Sequence, residues 1–236
     1  MTLRKKPQLD CHTCPGRMNS IFCDLEQAAL AELNQSKNAN TYKKGQNLFI
    51  EGNPPFGLFC VHSGRVKIYK TNADGSETIV RLLGSGDVAG HRSLFSNSPL
   101  RASATVIEEA HVCFVSRDTV HSLVQKDPHL CCEIVNRIGR EMGAAEEKLA
   151  SMARKSVRER FAETLLLLKE SFGVATDEGI KLEIRLTREE VAQIVGAASE
   201  NIIRLVSEFK EQGYISQDQR YLILLDVPAI EKEASL

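Results

Sequence analysis

The chain has 236 residues, 42% hydrophobic and 26% charged, the balance of a folded chain rather than a disordered or collagen-like one. Its 30 Lys and Arg meet 31 Asp and Glu, a net charge of −1, so no general basic field advertises nucleic acid as a partner. No apolar run approaches the ~18 residues of a membrane span, and MTLRKKPQLD has no apolar core behind its basic residues, so no secretory signal is expected and the chain is read as cytoplasmic.

Charge is unevenly spread: residues 1–155 carry 20 basic and 16 acidic side chains, residues 156–236 carry 10 and 15. If the second half touches DNA, it must do so through a local face. Seven cysteines in a reducing compartment argue against a disulfide framework. Cys11, Cys14 and Cys23 crowd into the first two dozen residues, whereas Cys60, Cys113, Cys131 and Cys132 are scattered.

Eight of the fifteen glycines fall between positions 45 and 90, and short apolar or alternating runs lie between them: 47–50, 58–61, 66–69 and 78–83. Further runs follow at 102–107 and 111–115. Short strands with Gly-containing turns read as an all-β barrel or roll, with Asp74-Gly75 a tight hairpin turn. After Ser116 the pattern changes. From Asp127, with Pro128 in a tolerated first-turn position, to about Arg154, Leu130, Ile134, Ile138, Met142, Ala145, Leu149 and Met152 recur every three or four residues. Such a helix is roughly 40 Å long at ~1.5 Å per residue, more than one small domain buries. It packs on its own roll or forms a seam with a second copy, which Gly139 and Gly143 would let approach closely. Residues 156–172 predict another amphipathic helix, and Gly173–Gly179 a loop.

The segment LTREEVAQIVGAASENIIRLVSEFKEQ, residues 186–212, has the marks of a helix-turn-helix. Thr187 and Glu190 form a capping box, Ala192 is small where helices must approach, and Gly196 suits the exit from the first helix. Ile202, Val206 and Phe209 give the second helix an inward face. After Gly213, YISQDQRYLILLD reads as two short strands about a polar turn, a wing. The alternative is a helical hairpin inside a core. A recognition helix directs its N-terminal residues at base edges, which assigns Ser199, Glu200, Asn201, Ile203 and Arg204 to DNA. Arg204 suits guanine and Glu200 a cytosine amino group; their spacing of four also suits a surface ion pair.

A Gly-rich β-roll, a long helix and a C-terminal winged helix-turn-helix, in that order, resemble the Crp–Fnr superfamily of bacterial transcription regulators. KKGQNLFIEGN, FCVHSGRVKIYKTNADGSETIVRLLGSGDVAG and LTREEVAQIVGAASENIIRLVSEFKEQGYI carry the resemblance over nearly the whole chain. It implies a homodimer clasped along the 127–154 helix, a palindromic double-stranded operator and RNA polymerase as a partner. The expected fold class is α+β: an N-terminal cysteine-containing segment (1–30), a jelly-roll-like β-roll sensor (31–126), a dimerisation helix (127–155) and a winged helix-turn-helix (156–236).

Where cyclic-nucleotide-binding members have Gly-Glu-Leu for the ribose and Arg-Ser or Arg-Thr for the phosphate, this sequence reads Gly90-His91-Arg92 and Arg101-Ala102. Neutral imidazole cannot accept from two ribose hydroxyls as a carboxylate does, so the usual cyclic-AMP site is incomplete. His91, Arg92 and Arg101 remain candidates for another anion. Oxygen-sensing members hold a [4Fe–4S] cluster with three N-terminal cysteines and a fourth in the roll, and Cys11, Cys14, Cys23 and Cys113 resemble that set. The eight residues between Cys14 and Cys23 exceed the oxygen sensor's gap. A structural zinc, or no metal with Cys113 a small buried hydrophobe, are the alternatives. No nucleophile–base pair, phosphate loop or paired carboxylates point to an enzyme.

Overall fold

The structure, a computed structural model, describes residues 9–234; the MTLRKKPQ stretch read above for a secretory signal lies outside them. Two units divide the chain. One holds the residues up to Thr71 together with Val80–Gly143, the other Asn72–Ile79 and the residues from Ala144 on.

In the first unit a 3-10 turn, Pro15–Asn19, and helix α1, Gln27–Ser36, precede the strands, so the boundary drawn at residue 30 falls inside a helix. The strands are β1 (Asn38–Tyr42), β2 (Asn47–Phe49), β3 (Gly57–Thr71), β4 (Glu77–Leu83), β5 (Val88–Ala89) and β6 (Ser103–Ser116). Their order is β1-β6-β3-β4, with β2 added to β6 and β5 to β3. Four runs that the sequence presents as separate strands fuse into two. β3 and β6 run antiparallel from Gly57↔Ser116 to Tyr69↔Ser103, and register shifts around Ser63 and Arg65 let the long ladder curl. Alternation directs Val61, Val66, Ile68, Ala104, Val106 and Val112 into the roll interior.

A short helix α2 (His91–Phe95) follows β5, and a helix that the periodicity does not announce, α3 (Arg117–Lys126), follows β6. Ser116 caps α3 by accepting from the Thr119 N–H at 3.2 Å. Asp127 is buried between α3 and the long helix α4, Pro128–Arg154. Its carboxylate accepts from the N–H groups of His129 at 3.0 Å and Glu26 at 3.3 Å. Leu130 and Ile134 of α4 join Leu30, Leu33, Val120 and Leu123 in a second apolar core, to which the strands contribute Leu58, Val88 and Val115.

The second unit contains α5 (Val157–Phe172), β7 (Gly173–Thr176), β8 (Gly179–Leu182), α6 (Arg188–Val195), α7 (Ser199–Glu211), β9 (Ile215–Asp218), β10 (Tyr221–Leu224) and α8 (Val227–Ala234). Gly173–Gly179, expected as a loop, is mostly hairpin: β7 pairs with β8, which continues the sheet β7-β8-β10-β9. The acidic pair Asp177-Glu178 occupies only the turn, and polarity hid the strands either side. Phe209 of α7 lies edge-on between Phe161 at 5.1 Å and Tyr214 at 5.5 Å, joining α5, α7 and the wing in one core. Among the described residues no helix is long and apolar enough to cross a membrane.

Candidate functional site

Thr187 opens α6 with both halves of a capping box, and Gly196 closes it in the left-handed conformation at φ 71°. Two cations from elsewhere in the unit then fix the turn. Lys148 donates to the Ile194 carbonyl at 2.7 Å, and Arg160 donates to those of Val195 and Gly196 at 3.0 and 3.2 Å. Helix C-terminal carbonyls lack internal partners and carry partial negative charge, so cations there both hydrogen-bond and offset the dipole. Neither residue was legible as a cap, because both are remote in sequence.

With the turn fixed, α7 buries Ile202, Leu205, Val206 and Phe209. Glu200, Ile203, Arg204 and Ser207 are exposed, while Ser199 and Asn201 are half-buried. Arg204 has 70% of its side chain in solvent and pairs with Glu208 at 3.5 Å, not with Glu200 as spacing alone allows. Such an exposed pair is weak and leaves the guanidinium available. Gln217 on the wing accepts from Arg188 at 2.9 Å and Lys210 at 2.8 Å, adding cations to an otherwise acidic half of the chain.

In the first unit, the residues read as an effector pocket are separated. His91 is buried and its Nε2 lies 3.1 Å from Glu141 Oε2, a carboxylate of α4. Arg92 approaches that oxygen at 3.6 Å, Arg81 lies 2.7 Å and Arg137 3.0 Å from Oε1, and Arg137 also pairs with Asp87. Arg101 is exposed and takes no part. Burial alone would raise the Glu141 carboxyl, but the His91 hydrogen bond and the Arg81 and Arg137 guanidiniums outweigh it and hold the group at about 2. The sequence offered a sign of this hub. Glu141 falls three residues after Ile138 and seven after Ile134, on the buried stripe of α4, where an acid must be paired.

The cysteines divide differently from the sequence pattern. Cys11, Cys14, Cys60 and Cys113 line one cavity of about 50 Å³, several times what one water needs, together with Arg17, Lys37 and His62. Close packing of glycines brings the N-terminal turn there: a Cβ on Gly16 would stand 2.6 Å from the Gly86 nitrogen. Cys23 is outside the lining and donates its S–H to Asp24 at 3.4 Å. Burial raises the Cys60 thiol well above its ordinary value and pushes Cys113 to about 11; burial also raises Cys11, against the pull of Lys37. Cys14 Sγ lies 3.2 Å from His62 Nδ1.

Four sulfurs are the donor chemistry of an iron–sulfur or zinc centre, and the cavity's two cations suit the negative charge such a centre keeps. The buried Arg17 Nε has no hydrogen-bond partner among the described residues, although Arg17 Nη1 donates to the Cys23 carbonyl. Sulfur bound to a metal would supply an acceptor. In their present orientations the thiols line the walls: among the described residues no three Cys, His, Asp or Glu side chains are grouped to hold one ion.

Two family models match the chain: a cyclic nucleotide-binding domain over residues 39–127 and a Crp-like helix-turn-helix domain over residues 159–233. A CRP-like cAMP-activated global transcriptional regulator of Mycobacterium tuberculosis is 28% identical over 214 residues, 91% of this chain and 96% of that protein. The transcriptional activator protein FnrL of Cereibacter sphaeroides is 28% identical over 246 residues, 99% of this chain and 96% of that one. The solved structure of FixK2 from Bradyrhizobium japonicum shares the fold with a TM-score of 0.76 at 22% identity, covering 85% of this chain and 98% of that one.

Removing the buried carboxylate leaves its cations unpaired, so Glu141→Gln is expected to destabilise the protein by about 3 kcal/mol in denaturant unfolding. The folded carboxyl sits below its unfolded value, so this contribution is complete above about pH 5 and fades as pH falls towards 2. A loss below about 1 kcal/mol at neutral pH, or a gap that widens in acid, would contradict the hub.

Proposed function

Because the chain belongs to the Crp–Fnr family of DNA-binding transcription regulators, whose members are not enzymes, we propose that it acts as a homodimer joined along α4 that offers two copies of α7 to a palindromic operator. The observation that carries this reading is an apolar row on the solvent side of α4. Cys131, Val135, Met142, Ala145, Leu149 and Met152 are exposed and, with half-buried Ile138 at the edge towards the core, fall in steps of four and three, the a/d spacing of a coiled-coil seam. Met142 is 61% and Leu149 71% exposed in the single chain. A Cβ on Gly139 or Gly143 would meet nothing within 4 Å, so the backbone there is open to a close neighbour. A two-fold axis along this seam makes a self-complementary interface, and a symmetric pair of recognition helices matches a symmetric site.

On DNA, Arg204 is positioned for a bidentate contact to guanine and Glu200 for a cytosine amino group, while exposed Ile203 suits a thymine methyl. Ser199 and Asn201 stand nearest the N-terminus of α7, where N–H groups also favour phosphate. RNA polymerase is the further partner that family membership implies.

For the signal, we propose a thiolate-held [4Fe–4S] cluster at the N-terminal cysteine cavity, with Cys11, Cys14 and Cys113 among its ligands. Such a group, when bound, supplies oxygen- and redox-sensitive chemistry. Lys37 and Arg17 offset its charge, and the Gly16–Gly86 contact ties the N-terminal segment to the roll beside it. The relatives' names include a cAMP-activated protein, which supports a second reading: a small anion around His91, Arg92 and Arg101, with no cluster. Its favourable observation is half-exposed Arg92 at the rim of the hub, beside a His91 Nδ1 that has no hydrogen-bond partner among the described residues. Glu141 already supplies negative charge there, which favours the thiol reading.

Arg204→Ala should weaken specific operator binding by ~1–3 kcal/mol and relax preference at one base pair, read by fluorescence anisotropy on specific and random duplexes. Equal loss on both would remove its base-reading role. Leu149→Glu should shift operator binding to at least tenfold higher protein concentration, at unchanged helix content; unaltered binding would reject the seam. Anaerobically purified protein should contain iron and acid-labile sulfide and absorb in the visible. Colourless protein lacking both, which instead binds cyclic nucleotides or other anions in calorimetric titration, would favour the anion reading.

A further inference from the structure

The one cysteine of the family-like set that the cavity leaves out is Cys23, and the cavity holds another in its place. Cys60 stands directly opposite Cys113 across the β3–β6 ladder. Directly opposed residues of an antiparallel pair project from the same face, with Cβ atoms ~5 Å apart. Cys11 packs against the same apolar core as Cys60, and Cys14 is held to the neighbouring strand residue His62. Cys23 has a different environment: its thiol faces Asp24 and feels the Glu133 carboxylate, two groups that oppose a further negative charge.

We propose that Cys11, Cys14, Cys60 and Cys113 form a four-thiolate site for a soft metal centre, with Cys60 in the role that the sequence pattern gives to Cys23. The identity of that centre as an iron–sulfur cluster rests on the function proposed above; the ligand set does not. Thiolate sulfur selects zinc or iron–sulfur centres over hard cations. On binding, each thiol passes its proton to water and its sulfur donates a lone pair to the metal, with no change of oxidation state at sulfur. Four thiolates leave either kind of centre doubly negative, and Arg17 and Lys37 bring two positive charges to the same cavity. The unpartnered Arg17 Nε gains a sulfur acceptor in the loaded site. Two ligands from the N-terminal segment and two from one strand pair would tether that segment to the roll.

The test loads the full-length protein anaerobically in two arms, with zinc alone and with equal amounts of ferrous and ferric iron plus sulfide, and counts bound metal per chain for wild type, Cys60→Ser and Cys23→Ser. Cys23→Ser should keep wild-type loading, whereas Cys60→Ser should lose at least fivefold. Since Cys60→Ser could also disturb the strands, wild-type protein is alkylated with and without metal and its cysteines mapped by mass spectrometry. Metal should protect Cys11, Cys14, Cys60 and Cys113 while Cys23 labels equally in both samples. Iron and sulfide uptake that depends on Cys23 and not Cys60 would overturn this ligand set and leave the cluster standing. Zinc uptake that depends on Cys60, without iron and sulfide uptake, would keep the ligand set and remove the cluster. No uptake in either arm would overturn both.

Discussion

The Glu141 carboxylate decides which way α4 faces. With only 8% of its side chain in solvent, it must find partners, and Arg81, Arg137, His91 and Arg92 converge on it. Together with Leu130 and Ile134, it turns one stripe of the helix onto the roll. The opposite stripe is then committed to solvent although it is apolar, from Val135 to Leu149. A single chain therefore presents an apolar surface, the one on which the proposed pairing with a second copy and the symmetric reading of DNA rest.

The helix-turn-helix shows how a net acidic half-chain meets a polyanion. Lys148 and Arg160 are spent on the carbonyl end of α6, which fixes the angle at which α7 leaves the turn. What α7 then exposes is a short face carrying Arg204 and Ile203, with Arg188 and Lys210 gathered at the wing. Affinity from so local a set of charges is modest, and its salt dependence scales with the few phosphates neutralised, so the proposed pairing of two copies would raise occupancy.

Much of this was legible in the residues. The glycine-punctuated strands, the capping box at Thr187 and the inward face of α7 depend on local chemistry, and local chemistry is what a sequence displays. The α4 periodicity was visible but ambiguous. A row spaced by four residues drifts about 40° around a helix at each step, so Leu130 and Ile134 begin on the roll face while Met142 ends on the free one. Only the fold separates the two stripes. Cys60 looked like a small core residue because nothing in LFCV reveals which strand lies opposite. Proximity in sequence groups Cys23 with Cys11 and Cys14, and does not reveal that the cavity lining leaves it out. The wing-side hairpin at Gly173–Leu182 was hidden by its acidic turn, and the hub by partners drawn from β4, α2 and α4.

Sedimentation equilibrium of the wild-type chain over a wide concentration range, with and without metal, addresses the central claim most directly. The expected result is a species of twice the 26.2 kDa of one chain, at least when the protein is competent to bind its operator. A protein that binds operator DNA while remaining at the mass of one chain would contradict the account.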